Sequence, residues 1–293
     1  MVMTENEYER ELLMPIVRWT LLVVLCTTAS VSCAEPIDRL VAESRDALSA
    51  GQTDKAIELA NKAIEAKPDD ARLHLYRGTL YESLRRHEDA VADFDRAIEL
   101  EPNDANAYEH RGSERFKLGR FADSIADFDR QIALDPRSEA GHWKRGISYY
   151  FAGRYAEGRK QFEGYQTVDN NDVENAVWRF LCMARSDGVA AARDDLLKIK
   201  QDRRVPMMEV YALFAGRTTP EQVLTAARAG DPAADELRHR LFYAELYLAL
   251  YYDAQGDRPQ ARRHIEAAVE QKISHYMWDV AKVHADVLAN RPQ

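Results

Sequence analysis

Charged side chains recur at a fixed spacing in this sequence, and they are the residues best suited to specific interactions. Arg77, Arg111 and Arg145 are evenly spaced along the chain, and the string Ala-Asp-Phe-Asp-Arg occurs at 92–96 and again at 126–130. Guanidinium and carboxylate groups form bidentate hydrogen bonds. The pattern predicts either ion pairs between neighbouring helices, which would set their spacing, or a basic track for acidic peptides. We favour the ion pairs, because the repeated segments themselves supply the carboxylates.

Residue types that could catalyse a reaction or bind a metal are present, but their spacing does not suit either role. The sequence contains no His-Glu-x-x-His pair, phosphate-binding glycine loop or nucleophile elbow. Its eight histidines are scattered, without a ligand spacing on one helix face. We therefore predict a protein that is not an enzyme, has no catalytic residues, and requires neither a metal nor another cofactor.

The overall charge argues against nucleic acid as a partner. The net charge of −9 is spread along 293 residues, with no basic stripe that could neutralise phosphates. Apolar residues make up 46% of the chain, and glycine and proline are scarce, so a substantial core can form. Other proteins are therefore the expected partners.

The 34-residue spacing of the arginines extends to residues that shape helices, and this predicts the fold. Pro68, Pro102 and Pro136 close successive units that begin at residues 37, 71 and 105, and a fourth unit begins at residue 139. Position 8 of each unit is small, and position 15 is glycine in three of them, as expected for a turn in the left-handed conformation. Position 24 is phenylalanine in three units. These positions are held by Ser44, Gly78, Gly112 and Gly146; by Gly51, Arg85, Gly119 and Gly153; and by Ala60, Phe94, Phe128 and Phe162.

This unit resembles the tetratricopeptide repeat, a helical hairpin that must stack to bury its apolar face. We predict an all-α, helical-hairpin solenoid with four units over residues 37–172. Asn170 replaces the next expected proline, and residues 173–241 are predicted to be an irregular helical segment. A fifth unit begins at Phe242, and residues 242–293 comprise this unit and a C-terminal capping helix.

Residues 1–34 are predicted to be a secretory signal peptide. Arg18 is followed by the apolar stretch 19–26 and then by small residues up to Ala34. The segment before it is acidic, with four glutamates between positions 5 and 11, whereas signal leaders are normally positive. Met14 is therefore an alternative start, because it would give a basic leader. The protein is expected to be exported.

Two kinds of processing fit the end of this segment. Residues 32–34 suit signal cleavage before Glu35, which would release a periplasmic protein. Residues 30–33 resemble a bacterial lipobox, in which Cys33 would be lipidated, although Ser30 stands where leucine is usual. Cys33 would then be the sole membrane attachment, and the protein would be an outer-membrane-anchored lipoprotein.

The inner wall of the stack is the predicted surface for partners. Helical positions 2, 5, 9, 12 and 13 of the first helix in each unit face this wall. In the third and fourth units it holds the candidate partner-binding residues Phe116, Lys117, Trp143, Ile147, Tyr150 and Phe151. A contiguous aromatic patch indicates a binding surface when it is exposed. The alternative is that the C-terminal half folds back and covers the patch.

Residues 142–154 and the order of the segments resemble the NlpI family of bacterial envelope lipoproteins. The shared order is a signal, about four repeats, an aromatic helix near Trp178, a late repeat and a closing helix. The resemblance implies an exported, usually dimeric adaptor that holds peptidoglycan hydrolases and a periplasmic protease together. The alternative function is an exported repeat protein that serves another assembly, such as secretion or pilus biogenesis.

Overall fold

The computed structural model describes residues 35–290, which form fifteen α-helices and one 3-10 turn, with no strand among them. The described residues divide into two compact units, the first ending at residue 68 and the second beginning at residue 69. In the first unit, α1 (Glu35–Ser49) and α2 (Thr53–Ala66) form a hairpin. Ser44 Oγ donates a hydrogen bond to the carbonyl oxygen of Ala56 at 2.7 Å, which joins the small residue at position 8 to the second helix. The predicted all-α fold is confirmed.

The second unit begins with three further hairpins. Their helices are α3 (Ala71–Ser83) with α4 (His87–Leu100), α5 (Ala105–Lys117) with α6 (Phe121–Leu134), and α7 (Trp143–Phe151) with α8 (Tyr155–Tyr165). The side chains of Asp70 and Asp104 accept hydrogen bonds from the backbone two positions later and so cap α3 and α5. Gly119 and Gly153 have φ of +73° and +74°, and Arg85 has φ of +57° at the same repeat position. The predicted left-handed turn therefore forms even where glycine is absent.

Each of these three hairpins closes around a phenylalanine that packs on a glycine of the preceding helix. A Cβ atom added at Gly78 would lie 2.5 Å from Phe94, and one at Gly146 would lie 2.6 Å from Phe162. These distances are too short for any other residue without movement of the ring. The glycine at position 8 and the aromatic at position 24 are thus one packing unit, and this explains why they recur together.

Seven helices follow in the second unit. They are α9 (Val173–Ser186), α10 (Val189–Asp194), α11 (Met207–Phe214), α12 (Pro220–Arg228), α13 (Ala234–Ala254), α14 (Arg258–Glu270) and α15 (Tyr276–Asn290). The segment expected to be irregular therefore contains four helices and the first turns of α13, which begins at Ala234 rather than at Phe242. Thr219 and Gln222 form a capping box at the start of α12.

Helices α9 and α10 continue the repeat spacing that the sequence was expected to lose. Helix α9 begins at Val173, one repeat length after the start of the fourth unit, and Asp172 caps it as Asp104 caps α5. Ala192 is buried where Gly158 stands in the fourth unit. The residue at position 8 is Phe180, which is large, and the preceding proline is missing. Because of these two changes, the hairpin formed by α9 and α10 is not recognisable in the sequence.

Candidate protein-binding surface

The adjoining faces of α3, α5 and α7 form one surface, here called the A-helix wall. It carries all six predicted partner-binding residues, together with Glu82, Glu109 and Ser113. The wall is continuous across helices: Lys117 Nζ lies 3.3 Å from Glu82 Oε1, and Lys144 Nζ lies 2.5 Å from Glu109 Oε1. Unlike the wall of an open stack, it is partly occupied by the chain's own last helix.

Helix α15 lies against the aromatic part of this wall. The ring of Tyr276 stacks on Phe116 with centroids 5.8 Å apart and meets Trp143 edge-on at 5.3 Å. Further along α15, His284 meets Phe151 edge-on at 5.8 Å. The covered arrangement, and not the open one, is therefore the arrangement that this chain adopts.

Because α15 covers the A-helix wall, most of the predicted partner-binding residues are not accessible to a partner. Phe116, Ile147 and Tyr150 are 0%, 1% and 4% exposed, and Trp143 and Phe151 are half-buried against the same core. A partner cannot reach the first three in this arrangement. The physical reason is that a contiguous aromatic patch is costly in water, and α15 removes it from solvent within the same chain.

Tyr150 is a core residue with a satisfied hydroxyl. Arg185 Nε donates to its oxygen at 3.3 Å, and its ring lies edge-on to Trp178 at 5.4 Å. Burial raises the pKa of Tyr150 to about 12, so the hydroxyl stays protonated at neutral pH. Its role in this structure is to join α7 to α9.

Lys117 holds the start of α15 in place. Its side chain is 7% exposed, and Nζ lies 2.5 Å from Glu114 Oε1 and 4.0 Å from Asp279 Oδ2. Burial by itself would lower the pKa of Lys117, but Glu114 and Glu82 outweigh burial and raise it. Arg85 also forms an ion pair with Asp279. The predicted partner-binding lysine thus binds a segment of its own chain.

A histidine–carboxylate pair lies beside this lysine. His110 Nδ1 is 2.9 Å from Glu82 Oε2. Burial would raise the pKa of Glu82, but the hydrogen bond from His110 and the charge of Lys117 prevail and lower it to about 2. Burial likewise opposes the charged form of His110, yet Glu82 raises its pKa above the ordinary value. The pair is therefore ionised over a wide range of pH.

Next to the start of α15 the wall opens into a cleft of about 300 Å³, here called the charged cleft. Ser83, Arg85, Ser274 and His275 are its exposed residues. The rest of its lining is Glu82, His87, Lys117, Lys144, Tyr276 and Asp279. Both signs of charge are present, which suits a polar polypeptide better than a uniformly charged one.

The recurring arginines form the predicted ladder of ion pairs. Arg111 donates to Asp127 in its own hairpin at 2.6 and 3.0 Å and to Asp95 of the preceding hairpin at 2.6 Å. Arg145 repeats this with Gln161 and Asp129. For Arg111 and Arg145, one partner precedes the arginine and the other follows it at the same separation along the chain, so each of these two arginines joins two hairpins. Side-chain oxygens of the repeats occupy the guanidinium groups of Arg111 and Arg145, so these two arginines do not form a basic track for acidic peptides.

Sequence reasoning missed the next member of the ladder. Arg179 stands one repeat length after Arg145, and it lies 3.1 Å from Glu163 Oε1 and 2.6 Å from Asp195 Oδ2. These partners again precede and follow the arginine at equal separation. The signal that could have revealed Arg179 was the arginine spacing alone. The ladder therefore extends from the repeats into the segment that was expected to be irregular.

The signal peptide, the start at Met14 and the lipidation of Cys33 lie outside the described residues. Within residues 35–290, no three or more His, Cys, Asp or Glu side chains are grouped so as to hold a metal ion. None of the helices described is both long and apolar enough to cross a membrane.

Comparison with known proteins agrees with this geometry. The tetratricopeptide-repeat family model matches residues 41–105 and 111–172. A tetratricopeptide-repeat protein from Parabacteroides merdae is 14% identical, with a TM-score of 0.57 over 87% of this chain and 99% of that chain. MamA from Desulfovibrio magneticus RS-1 is 15% identical, with a TM-score of 0.52 over 69% and 100%. At these identities the likeness concerns the fold alone. Among curated proteins, none matches the sequence significantly.

Proposed function

We propose that this tetratricopeptide-repeat protein is a non-enzymatic adaptor of the bacterial cell envelope that binds partner proteins at the A-helix wall. The observation that carries the proposal is that the wall already binds polypeptide, since it holds the start of α15 by stacking on Tyr276 and by ion pairs to Asp279. Partners would add to this contact through the charged cleft. Envelope proteins such as peptidoglycan hydrolases or a protease are the proposed partners, and the adaptor would act as a dimer.

The exposed residues of the charged cleft support a site for a second polypeptide. Arg85 and His275 offer donors at its rim, and Ser83 leaves space without a bulky side chain. Lys144 lies between Glu109 and the ring of Tyr276, with Nζ 5.0 Å from the ring centroid. A partner would therefore meet a surface whose charged groups are already held in place, which lowers the entropy lost on binding.

The envelope location rests on residues 18–34 of the sequence. The basic residue, apolar stretch and small residues have the order of an export signal, and Cys33 stands where a lipid could be attached. Cell fractionation of the full-length chain should place it outside the cytoplasm. Radiolabelled palmitate should enter the wild-type protein but not Cys33→Ala if it is anchored, whereas cleavage before Glu35 without label would indicate the periplasmic form. A cytoplasmic protein that keeps residues 1–34 would contradict export.

Partner binding can be tested with two matched arginine substitutions. Ser83→Arg fills the charged cleft, whereas Thr225→Arg places the same charge on an exposed turn of α12, away from the A-helix wall. Each hydroxyl makes only a local bond to its own helix. We expect Ser83→Arg to lose envelope proteins that co-purify with the wild type and with Thr225→Arg. Equal recovery with both variants would show that the cleft is not the binding site.

A further inference from the structure

A second cavity, here called the aromatic cavity, adjoins the charged cleft. It lies between α7, α8, α9 and the start of α15, and His275 lines both spaces. Its volume is about 200 Å³, more than the roughly 150 Å³ that suffices to hold benzene in an apolar protein cavity. Arg204 and His275 of its lining are exposed, so the cavity opens to solvent there. A side chain of a polypeptide in the charged cleft can therefore enter it past His275.

The accessible part of the wall of this cavity includes two aromatic residues. Trp143 and Tyr165 line the cavity, and both remain partly exposed. Aromatic faces attract a cation within about 6 Å of the ring centroid. Trp143 already takes part in such a contact, since Lys144 Nζ lies 5.9 Å from the centroid of its ring. The apolar depth of the cavity is buried and is formed by Ile147, Phe162, Trp178 and Met277.

Carboxylates outnumber basic groups at the mouth of the cavity. Asp172 and Glu174 line it, and their side chains are 17% and 15% exposed. Among the described residues of the lining, Arg204 is the one arginine or lysine. Its guanidinium lies 2.6 Å from Asp172, 2.5 Å from Glu174 and 2.6 Å from Asp202. Three carboxylates thus share one guanidinium, and a surplus of negative charge is left for a second cation.

The titration of two lining residues agrees with this surplus. Burial raises the pKa of Glu174 above its ordinary value, although the charge of Arg204 and the hydrogen bond from Tyr247 oppose the shift. A second cation would stabilise the ionised carboxylate. Partial burial and the nearby His239 lower the pKa of His275, so its imidazole is neutral at neutral pH and does not repel a cation.

We propose that the aromatic cavity binds a basic side chain, lysine or arginine, of a partner polypeptide held at the A-helix wall. The methylene stem of this side chain packs against Trp143 and Tyr165, and its charged end meets Asp172 and Glu174. The inference rests on the proposed function, because the side chain belongs to the partner. An acidic side chain is excluded from the same place by the surplus carboxylates.

The test is a titration of the full-length protein followed by NMR through the 15N-indole of Trp143. N-acetyl-L-lysine methylamide and N-acetyl-L-arginine methylamide are the probes. N-acetyl-L-norleucine methylamide is the control, because it keeps the aliphatic stem and lacks the charge. We expect a saturable shift with the basic probes, at an affinity about tenfold higher than that of the blocked norleucine. The indole of Trp278 lies outside the lining and donates to the carbonyl oxygen of Val269, so it should not move.

The probes also identify which basic side chain the cavity prefers. A shift with only one of the two basic probes would assign the site to lysine or to arginine. Higher ionic strength should weaken binding of the basic probes and leave that of the blocked norleucine unchanged. No saturable shift with either basic probe, or an equal affinity for the blocked norleucine, overturns the inference. This titration needs no variant, so it does not depend on the folding of a mutant.

A pair of matched cap substitutions tests the carboxylates. Asp172→Asn removes one negative charge from the mouth and keeps the cap of α9, because asparagine caps a helix as well as aspartate does. We expect it to weaken binding of the basic probes about fivefold, with no effect on the blocked norleucine. Asp104→Asn makes the same change in the cap of α5, outside the lining of the cavity, and should leave every affinity unchanged. Unchanged affinity for the basic probes in Asp172→Asn would contradict the assignment.

The cavity and the proposed function can fail separately. Envelope proteins that are lost with Ser83→Arg, together with no shift of Trp143 by either basic probe, would leave the proposed function intact and overturn the cavity inference. Shifts of Trp143 together with equal recovery of partners by Ser83→Arg and Thr225→Arg would confirm the preference of the cavity for basic side chains and contradict the charged cleft as the partner site.

Discussion

Tyr276, the first residue of the last helix, stacks on Phe116 of the third hairpin, with ring centroids 5.8 Å apart and planes inclined by 28°. The two residues are far apart in the chain, and their contact is where the C-terminal half closes over the A-helix wall. It turns an aromatic patch that would bind partners in an open stack into part of the core. The part of the wall that stays accessible is the charged cleft beside it, where we propose that partners bind.

A double-mutant cycle measures this closure. Phe116→Ala alone should cost about 3 kcal/mol of unfolding free energy because the ring is fully buried. Combined with Tyr276→Ala, the two losses should fall short of their sum by about 1 kcal/mol, the usual coupling of a stacked pair. Tyr252→Ala, whose ring packs on His264, is the control and should add to Phe116→Ala without coupling. Urea denaturation of all variants gives the values, and additive losses at Phe116 and Tyr276 would contradict the closure.

The arginine ladder predicts unequal losses at two equivalent positions. Arg111→Met leaves the buried carboxylate of Asp127 with Arg115 as its remaining cation, and we expect a loss of about 2 kcal/mol. Arg145→Met removes bonds to neutral Gln161 and to exposed Asp129, so the expected loss is about 1 kcal/mol. Thermal and urea unfolding compare the two variants. A larger loss of unfolding free energy in Arg145→Met would mean that the buried charge of Asp127 does not make Arg111 the more important of the two arginines.

The glycine–phenylalanine packing predicts opposite effects of one substitution at two sites. In Gly112→Ala the new Cβ would lie 2.8 Å from the ring of Phe128, and we expect a loss of about 2 kcal/mol. Gly164 lies in α8 with nothing within 4 Å, so Gly164→Ala should stabilise the protein by about 0.5 kcal/mol through helix propensity. Phe128→Leu should partly restore Gly112→Ala. Stabilisation by Gly112→Ala would show that the close approach is not required.

The pair of His110 and Glu82 predicts a pH-dependent stability. The pKa of His110 is raised, so its contribution is complete below its ordinary value of 6.5 and is lost as the pH rises through the raised pKa. The pKa of Glu82, lowered from 4.5 to about 2, gives a contribution that is complete above pH 4.5 and is lost as the pH falls toward 2. His110→Gln should therefore cost on the order of 1 kcal/mol near pH 5.5 and much less near pH 9.

Urea denaturation at the two pH values checks this difference. His239→Gln is the matched control, because His239 lies on the exposed side of α13 and its removal should change the stability little at either pH. An equal loss for His110→Gln at both pH values would show that the bond to Glu82 does not depend on the charge of the imidazole.

The hairpins could be predicted from the sequence because the residues that determine them lie close together in the chain. Positions 8 and 24 lie in the two helices of a single repeat, and Gly146 and Phe162 meet within one hairpin. The same holds for the turn at Gly119 and the cap at Asp104, which act over a few positions. Such contacts recur in each repeat, and the residues that make them therefore form a periodic pattern in the sequence. The arginine ladder was predicted for the same reason, since each of its bonds spans less than one repeat length.

The sequence by itself therefore determined the repeat, its turns and the pairing of its helices. Only the tertiary structure decided whether the A-helix wall stays open, because that depends on where Tyr276 and Asp279 meet Phe116 and Lys117 from the far end of the chain. The repeat length does not relate these positions to one another.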